Sequence, residues 1–211
     1  MNEMPSDDDR QATIARFRSE ASRCTLCREQ GLLYQHEDGR WACPLFHRGS
    51  TCSSGIVVVA EAPNFDDTFD PDKQRLTYDA ETDPTGRFAR ELFASVGLSP
   101  DDVLFTNSVL CLPAKQGDKF PVKAQQRNLC RPWLIRLIEL VDPGVVVTLG
   151  GQALDAVGRI ERHGLALKNG AGTLHDWYGR KLLPLYHPGR LGRLARSAEQ
   201  QMRDIGVLRG A

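Results

Sequence analysis

Six cysteines stand out in this chain, and four of them fall into two pairs. Cys24 and Cys27 form a C-x-x-C pair, while Cys111 and Cys130 have eighteen residues between them. In a reducing compartment disulfides do not persist, so a thiol set of this size points to metal or cluster ligation. Two groupings meet a four-thiolate requirement. Cys24, Cys27, Cys111 and Cys130 would hold an iron–sulfur cluster between distant segments. Cys24, Cys27, Cys43 and Cys52 would make a zinc knuckle from one contiguous stretch, leaving Cys111 and Cys130 as ordinary buried thiols. A second group of chemistry-bearing residues comprises Glu61-Ala62-Pro63-Asn64, Thr106-Asn107 and His187-Pro188. It offers a carboxylate, a carboxamide and an imidazole, each beside an apolar run.

The elements that must position these groups are legible as four apolar, β-branched-rich segments: 56–63, 103–112, 145–151 and 181–189. Continuous runs of this kind, separated by helical patterns over 86–98, 125–141 and 151–160, are the signature of buried parallel strands. The expected fold is therefore α/β, with three α/β/α layers around a central four-stranded parallel sheet. A short helix over 11–23 leads into Cys24, and 28–55 reads as an irregular or hairpin-like insertion. Each strand ends in a polar, Gly or Pro cluster, and in open α/β sheets the site lies beyond the carboxyl ends of the strands. The three clusters should converge there.

With 211 residues, 41% hydrophobic and 26% charged, the chain suits one globular domain. Residues 1–10 are expected to be a disordered acidic tip and 11–211 a single domain. No apolar run is long enough for a membrane helix, and the N-terminus lacks the apolar core of a secretory signal, so the expected location is the cytoplasm. Net charge is zero, but its distribution is uneven. The stretch from Glu61 to Asp83 is acidic. Lys115, Lys119 and Lys123 lead into a basic helix, and Arg190, Arg193 and Arg196 follow His187. A protein that grips phosphates needs local positive potential, not a positive total.

The strings AEAPN, TNSVLC and HPGR, taken with the cysteines, resemble the uracil-DNA glycosylase superfamily. They look most like the family-four and family-five enzymes that carry a 4Fe–4S cluster. The resemblance covers roughly residues 20–205. It implies a monofunctional DNA repair glycosylase, with no lyase step, that hydrolyses the N-glycosidic bond of deoxyuridine in DNA. The partner would be uracil-containing DNA, single- or double-stranded, and the protein a monomer. Asn107 would read the base, His187 would stabilise charge on its O2, and Glu61 would position water. Ala62, Pro63 and Asn64 would line the base site. The structural 4Fe–4S cluster would sit on Cys24, Cys27, Cys111 and Cys130, with zinc as the alternative. Leu191 would be an apolar wedge, while Arg190, Arg193, Lys115 and Lys119 would hold DNA.

The chain departs from this pattern in two places. Asn64 replaces a glycine, and Asn tolerates a left-handed turn. The family's stacking Phe has no clear counterpart; Tyr78 is nominated, with Phe65 and Phe69 as rivals. The competing reading is a catalytically silent Fe–S or zinc DNA-binding module on the same fold. Intact Asn107 and His187 argue against it.

Overall fold

The computed structural model describes residues 7–46, 54–69, 83–99 and 102–210. Tyr78, Cys52 and most of the acidic 65–83 stretch lie outside the described residues.

Strand β1 (Ile56–Ala60) is followed by helix α3 (Phe65–Phe69) and helix α4 (Pro84–Ala94), then β2 (Leu104–Asn107). Next come α5 (Ala124–Val141), β3 (Val145–Leu149), α6 (Gly151–Gly158) and the short α7 (Leu167–Gly170). The chain then forms β4 (His175–Trp177), β5 (Arg180–Leu185), α8 (Arg190–Ala195) and α9 (Ala198–Ile205). Ahead of the sheet lie α1 (Asp7–Ala21) and α2 (Leu26–Glu29). Helix α1 begins at Asp7, inside the stretch expected to be a tip.

The sheet has five strands in the order β2-β1-β3-β5-β4. Strands β1, β2, β3 and β5 are parallel, as the apolar runs require, and every residue of β1, β2 and β3 is buried. The four-stranded expectation misses β4, which pairs antiparallel with β5 at the edge. This strand has three residues, of which only Trp177 is buried. It carries none of the continuous apolar signal by which buried strands are recognised.

Alternate strand residues feed two cores. Val57, Val59 and Val146 face α1, α5 and α6, while Ile56, Val58, Val145 and Val147 face α4 and α9. Burying one such side chain contributes about 1.5–3 kcal/mol, so these two layers dominate the stability of the fold. Helix α1 buries Ile14, Phe17 and Ala21 along one stripe, and Phe17 meets Trp133 of α5 edge to face with ring centroids 5.9 Å apart.

The chain crosses from β1 to β2 on one side of β1 and then from β2 back past β1 to β3 on its other side. The gap between β1 and β3 is thus the topological switch point, where such sheets bind ligands. The strands stop earlier than the apolar runs: β1 ends at Ala60, β2 at Asn107 and β5 at Leu185. Glu61 and His187 consequently stand on the loops just past the strand ends, where the backbone is free to turn.

Candidate functional site

Asn107 is the last residue of β2, in register with Ala60 of β1. It is 4% exposed, and among the described residues its carboxamide makes no hydrogen bond. Its amide atoms are not among the side-chain atoms shut off from solvent without a partner, so the carboxamide stays accessible from outside the core. Such a group is held ready for something that binds.

The loop carrying Glu61 is pinned from β2. The Ser108 hydroxyl and the Val109 amide both donate to the Glu61 carbonyl, at 2.8 and 3.0 Å, and the Ser108 amide donates to Ala60. Burial pushes the Glu61 carboxyl above its ordinary pKa, and the Arg127 guanidinium of α5 acts in the opposite sense. Asn64 does not adopt the left-handed backbone that its place in the motif permits. Its carbonyl instead accepts the Thr68 hydroxyl at 2.8 Å, at the start of α3.

His187 is held by its backbone surroundings. The Gly189 amide donates to His187 Nδ1 at 3.0 Å. Nδ1 is therefore an acceptor without a proton, and in the neutral ring the proton sits on Nε2, which is free to donate. Burial lowers the His187 pKa, opposed by the Asp83 carboxylate, so the neutral form is favoured at pH 7. Three glycines allow this packing. A Cβ on Gly189 would lie 2.8 Å from His187 Nδ1, one on Gly192 would overlap the His187 carbonyl oxygen, and Gly150 at the end of β3 has φ +93° with its Cβ position 3.4 Å from the His187 Cβ. A side chain at Gly189 would press on the ring, and one at Gly192 on the His187 backbone.

Strands β2 and β5 stand three spacings apart, about 14 Å, with Asn107 ending the first and His187 two residues past the end of the second. A cavity of about 460 Å³ flanks this gap, lined by Glu61, Ala62, Pro63, Asn64 and Phe65 on one side and Phe120 on the other. Asn107 and His187 are not among its lining residues. Of the three aromatic candidates, Phe65 lines this cavity, Phe69 is buried at 7% exposure in the aromatic group with Tyr34, and Tyr78 lies outside the described residues.

The cysteines come together from three elements. Cys27 of α2 and Cys111 after β2 share one buried cluster with Leu32 and Leu33. The Cys130 thiol of α5 donates to Cys27, which lowers the Cys27 pKa and raises that of Cys130. Burial, with the neighbouring Cys130, Cys24 and Cys43, raises Cys111. Cys24 is half-buried; it shares a cavity of about 510 Å³ with the exposed Cys43, bordered by Arg23, Arg28 and Arg40. Among the described residues no three His, Cys, Asp or Glu side chains are closed around a single-ion position. The chemistry of the neighbourhood suits thiolate ligation: Cys27, Cys111 and Cys130 are buried close together, with Cys24 and Cys43 nearby.

On the proposed DNA side, Arg190 is exposed and Leu191 is 75% exposed. Arg193 is only half-buried, its guanidinium 5.4 Å over the Phe88 ring and its Nε without a hydrogen-bond partner. Lys115 and Lys119 are exposed on the turn around Gly117.

Two contributors were not read from sequence. Asp83 caps α4, accepting from Thr85 and Gly86 amides at 2.8 Å each on one carboxylate oxygen, and its charge reaches His187. Arg127, bonded to Gln152 and paired with Asp155, faces Glu61. The D-P-T-G string does signal a helix start with Pro at the first position, but nothing in it points to a histidine a hundred residues away.

The model of the uracil DNA glycosylase superfamily matches residues 46–205, about three quarters of the chain. Among curated proteins, the chain is 27% identical over 163 residues to a type-4 uracil-DNA glycosylase of Archaeoglobus fulgidus, covering 74% of this chain and 77% of the relative. It is 28% identical over 160 residues to the type-4 enzyme of Thermotoga maritima, covering 72% and 77%. With that of Saccharolobus solfataricus it shares 30% identity over 108 residues, 44% of each chain. The strand-end residues and the sheet order stand in the matched segment, and the chain belongs to the uracil DNA glycosylase superfamily.

Proposed function

We propose that the protein is a uracil-DNA glycosylase of the type-4 kind, which hydrolyses the N-glycosidic bond of deoxyuridine and leaves an abasic site. The observation that carries this reading is the neutral His187 with Nδ1 tied to the Gly189 amide, so that Nε2–H is presented at the same sheet edge as the unpartnered Asn107 amide.

The base must leave the stack before any side chain can reach it. The Asn107 carboxamide then offers one acceptor for N3–H and one donor for O4, a pairing that matches uracil and mismatches cytosine. As the glycosidic bond breaks, charge grows on O2, and His187 Nε2–H donates to it. A preorganised donor of this kind contributes about 3 kcal/mol. Glu61, ionised, holds the attacking water and offsets the positive charge on the sugar. The reaction proposed is hydrolysis alone, without a Schiff-base lyase step.

Cys24, Cys27, Cys111 and Cys130 would hold a 4Fe–4S cluster. Bound there, it supplies a structural cross-link between the N-terminal segment, the loop after β2 and α5. The contact between Cys27 and Cys130 favours this set over the contiguous zinc knuckle, which would leave that pair divided.

The test is release of free uracil from a single-stranded uracil oligonucleotide by purified full-length protein without added divalent metal. The same preparation is expected to be brown, with Cys111→Ser colourless and Cys43→Ser coloured. Unaltered oligonucleotide after prolonged incubation with coloured protein would overturn the enzyme reading; a colourless, zinc-loaded protein would overturn the ligand set.

The pH profile is expected to follow from burial. Glu61 must be ionised to work, and its pKa is raised, so activity should fall on acidification with a midpoint above the ordinary 4.5 of a glutamate. Burial keeps His187 neutral further into acid than a free imidazole, and the Glu61→Gln profile separates its contribution from that of the carboxylate. Glu61→Gln, measured in single-turnover assays from pH 4 to 8, should be slow and lack the limb. A limb unchanged in Glu61→Gln would assign it elsewhere.

A further inference from the structure

Two of the three exposed large hydrophobic side chains among the described residues sit on one short helix. Leu191 and Leu194 are each 75% exposed on α8, and the third, Leu26, is 44% exposed on α2. Helix α8 buries none of its residues, yet it is not loose. Gly192 sits so close to His187 that a Cβ there would overlap the His187 carbonyl oxygen. Arg193 lies over Phe88 of α4, and Arg196 at the C-cap grips Asp204 of α9 through two bonds of 2.7 and 2.6 Å. The inner side of the helix is thus fastened at three points, and the two leucines are held outward on a rigid mount. They are three residues apart, which places them side by side on one face, about 5–6 Å between Cβ atoms.

We propose that Leu194 is a second apolar wedge, inserted into the minor groove of duplex DNA beside the position of Leu191. The inference rests on the glycosylase reading and extends it to a residue that the resemblance does not assign. Base steps along one strand rise 3.4 Å. A separation of 5–6 Å therefore spans more than one step and fewer than two. With Leu191 filling the gap left by the flipped nucleotide, Leu194 falls at the adjoining step. Partial unstacking by apolar side chains is how minor-groove proteins kink a duplex, and a kink would lower the cost of flipping. Every charged residue on α8 is an arginine, and Arg190 is exposed at its start, so the face suits a polyanion. A second copy of the chain fits less well: two leucine side chains fall far short of the ~800 Å² per partner of a stable interface.

Leu194→Ala in the full-length, cluster-loaded protein tests this. Uracil release from a duplex is expected to fall by about 10-fold, while release from the same strand alone stays within about twofold, because a single strand has no stack to open. The thermal midpoint should not fall, since the side chain is already in water. Leu194→Met, of similar volume, should keep duplex activity. With 2-aminopurine at the step next to the uracil, the wild type should raise fluorescence on binding and Leu194→Ala should raise it less. Equal losses on both substrates, no loss on duplex, or a change from dimer to monomer on gel filtration would overturn the proposal. Failure of the wild type to release uracil from single strands would sink the glycosylase reading instead; the wedge would then be judged by 2-aminopurine beside an abasic site alone.

Discussion

His187→Ala is expected to lower the single-turnover rate of uracil release by about 10²- to 10³-fold, with little change in binding of uracil-containing DNA. The loss should lie in kcat because the Nε2–H donor meets charge that exists on O2 only as the bond breaks; the ground-state base asks little of it. Among the described residues the ring's one hydrogen bond is the Gly189 amide it accepts, so the variant should remain folded and coloured. His187→Gln places an N–H donor in roughly the same region and should recover part of the rate. A variant that keeps near wild-type rates would show that O2 is stabilised by another group. Titrating the His187 ring by NMR gives an independent check: burial lowers its pKa, and protonation on Nδ1 must break the Gly189 bond, so the ring should stay neutral below the ordinary 6.5.

Asn107→Ala is expected to lower kcat/KM for uracil-containing strands by about 10²-fold, the equivalent of losing two hydrogen bonds worth about 1.5 kcal/mol each. Stability should hardly move. The carboxamide makes no hydrogen bond among the described residues and is not shut off from solvent, so its removal breaks no bond of the fold. Thermal denaturation of Asn107→Ala should show a nearly unchanged midpoint. Lowered stability with proportionate loss of activity would instead make Asn107 a structural residue and leave base reading without an owner.

These two residues were recognisable because both their types and their places recur. Asn107 follows a buried run and His187 precedes a proline at the end of another, and local sequence is enough to recognise both settings. The four parallel strands were legible for the same reason, since strands buried on both faces must be continuously apolar. Strand β4 was not, because an edge strand pairing with β5 needs only three residues and one buried tryptophan. The strand limits were also read too long: Glu61-Ala62-Pro63 and His187-Pro188-Gly189 continue the apolar or turn character of their strands while belonging to loops.

Partnerships between distant segments were less visible. Asp83 reads as one more carboxylate in an acidic stretch, yet capping α4 brings it within reach of His187. Arg127 reads as part of a basic helix, yet it faces Glu61. Arg193 reads as a phosphate contact, while the fold lays it over Phe88 and uses it to fasten α8.

The cysteines divide along the same line. Their number, the C-x-x-C pair and the reducing chemistry of thiolates pointed to a ligand set; local spacing favoured the contiguous zinc grouping, and the family resemblance favoured Cys24, Cys27, Cys111 and Cys130. Only the packing of α2 against α5 put Cys27 on Cys130 and into one cluster with Cys111. Sequence by itself determined which groups the protein has and which strands carry them, because residue type and burial period act locally. Tertiary structure decided which groups meet, which tautomer His187 holds and which leucines face outward, because those depend on close approach between segments that no local pattern encodes.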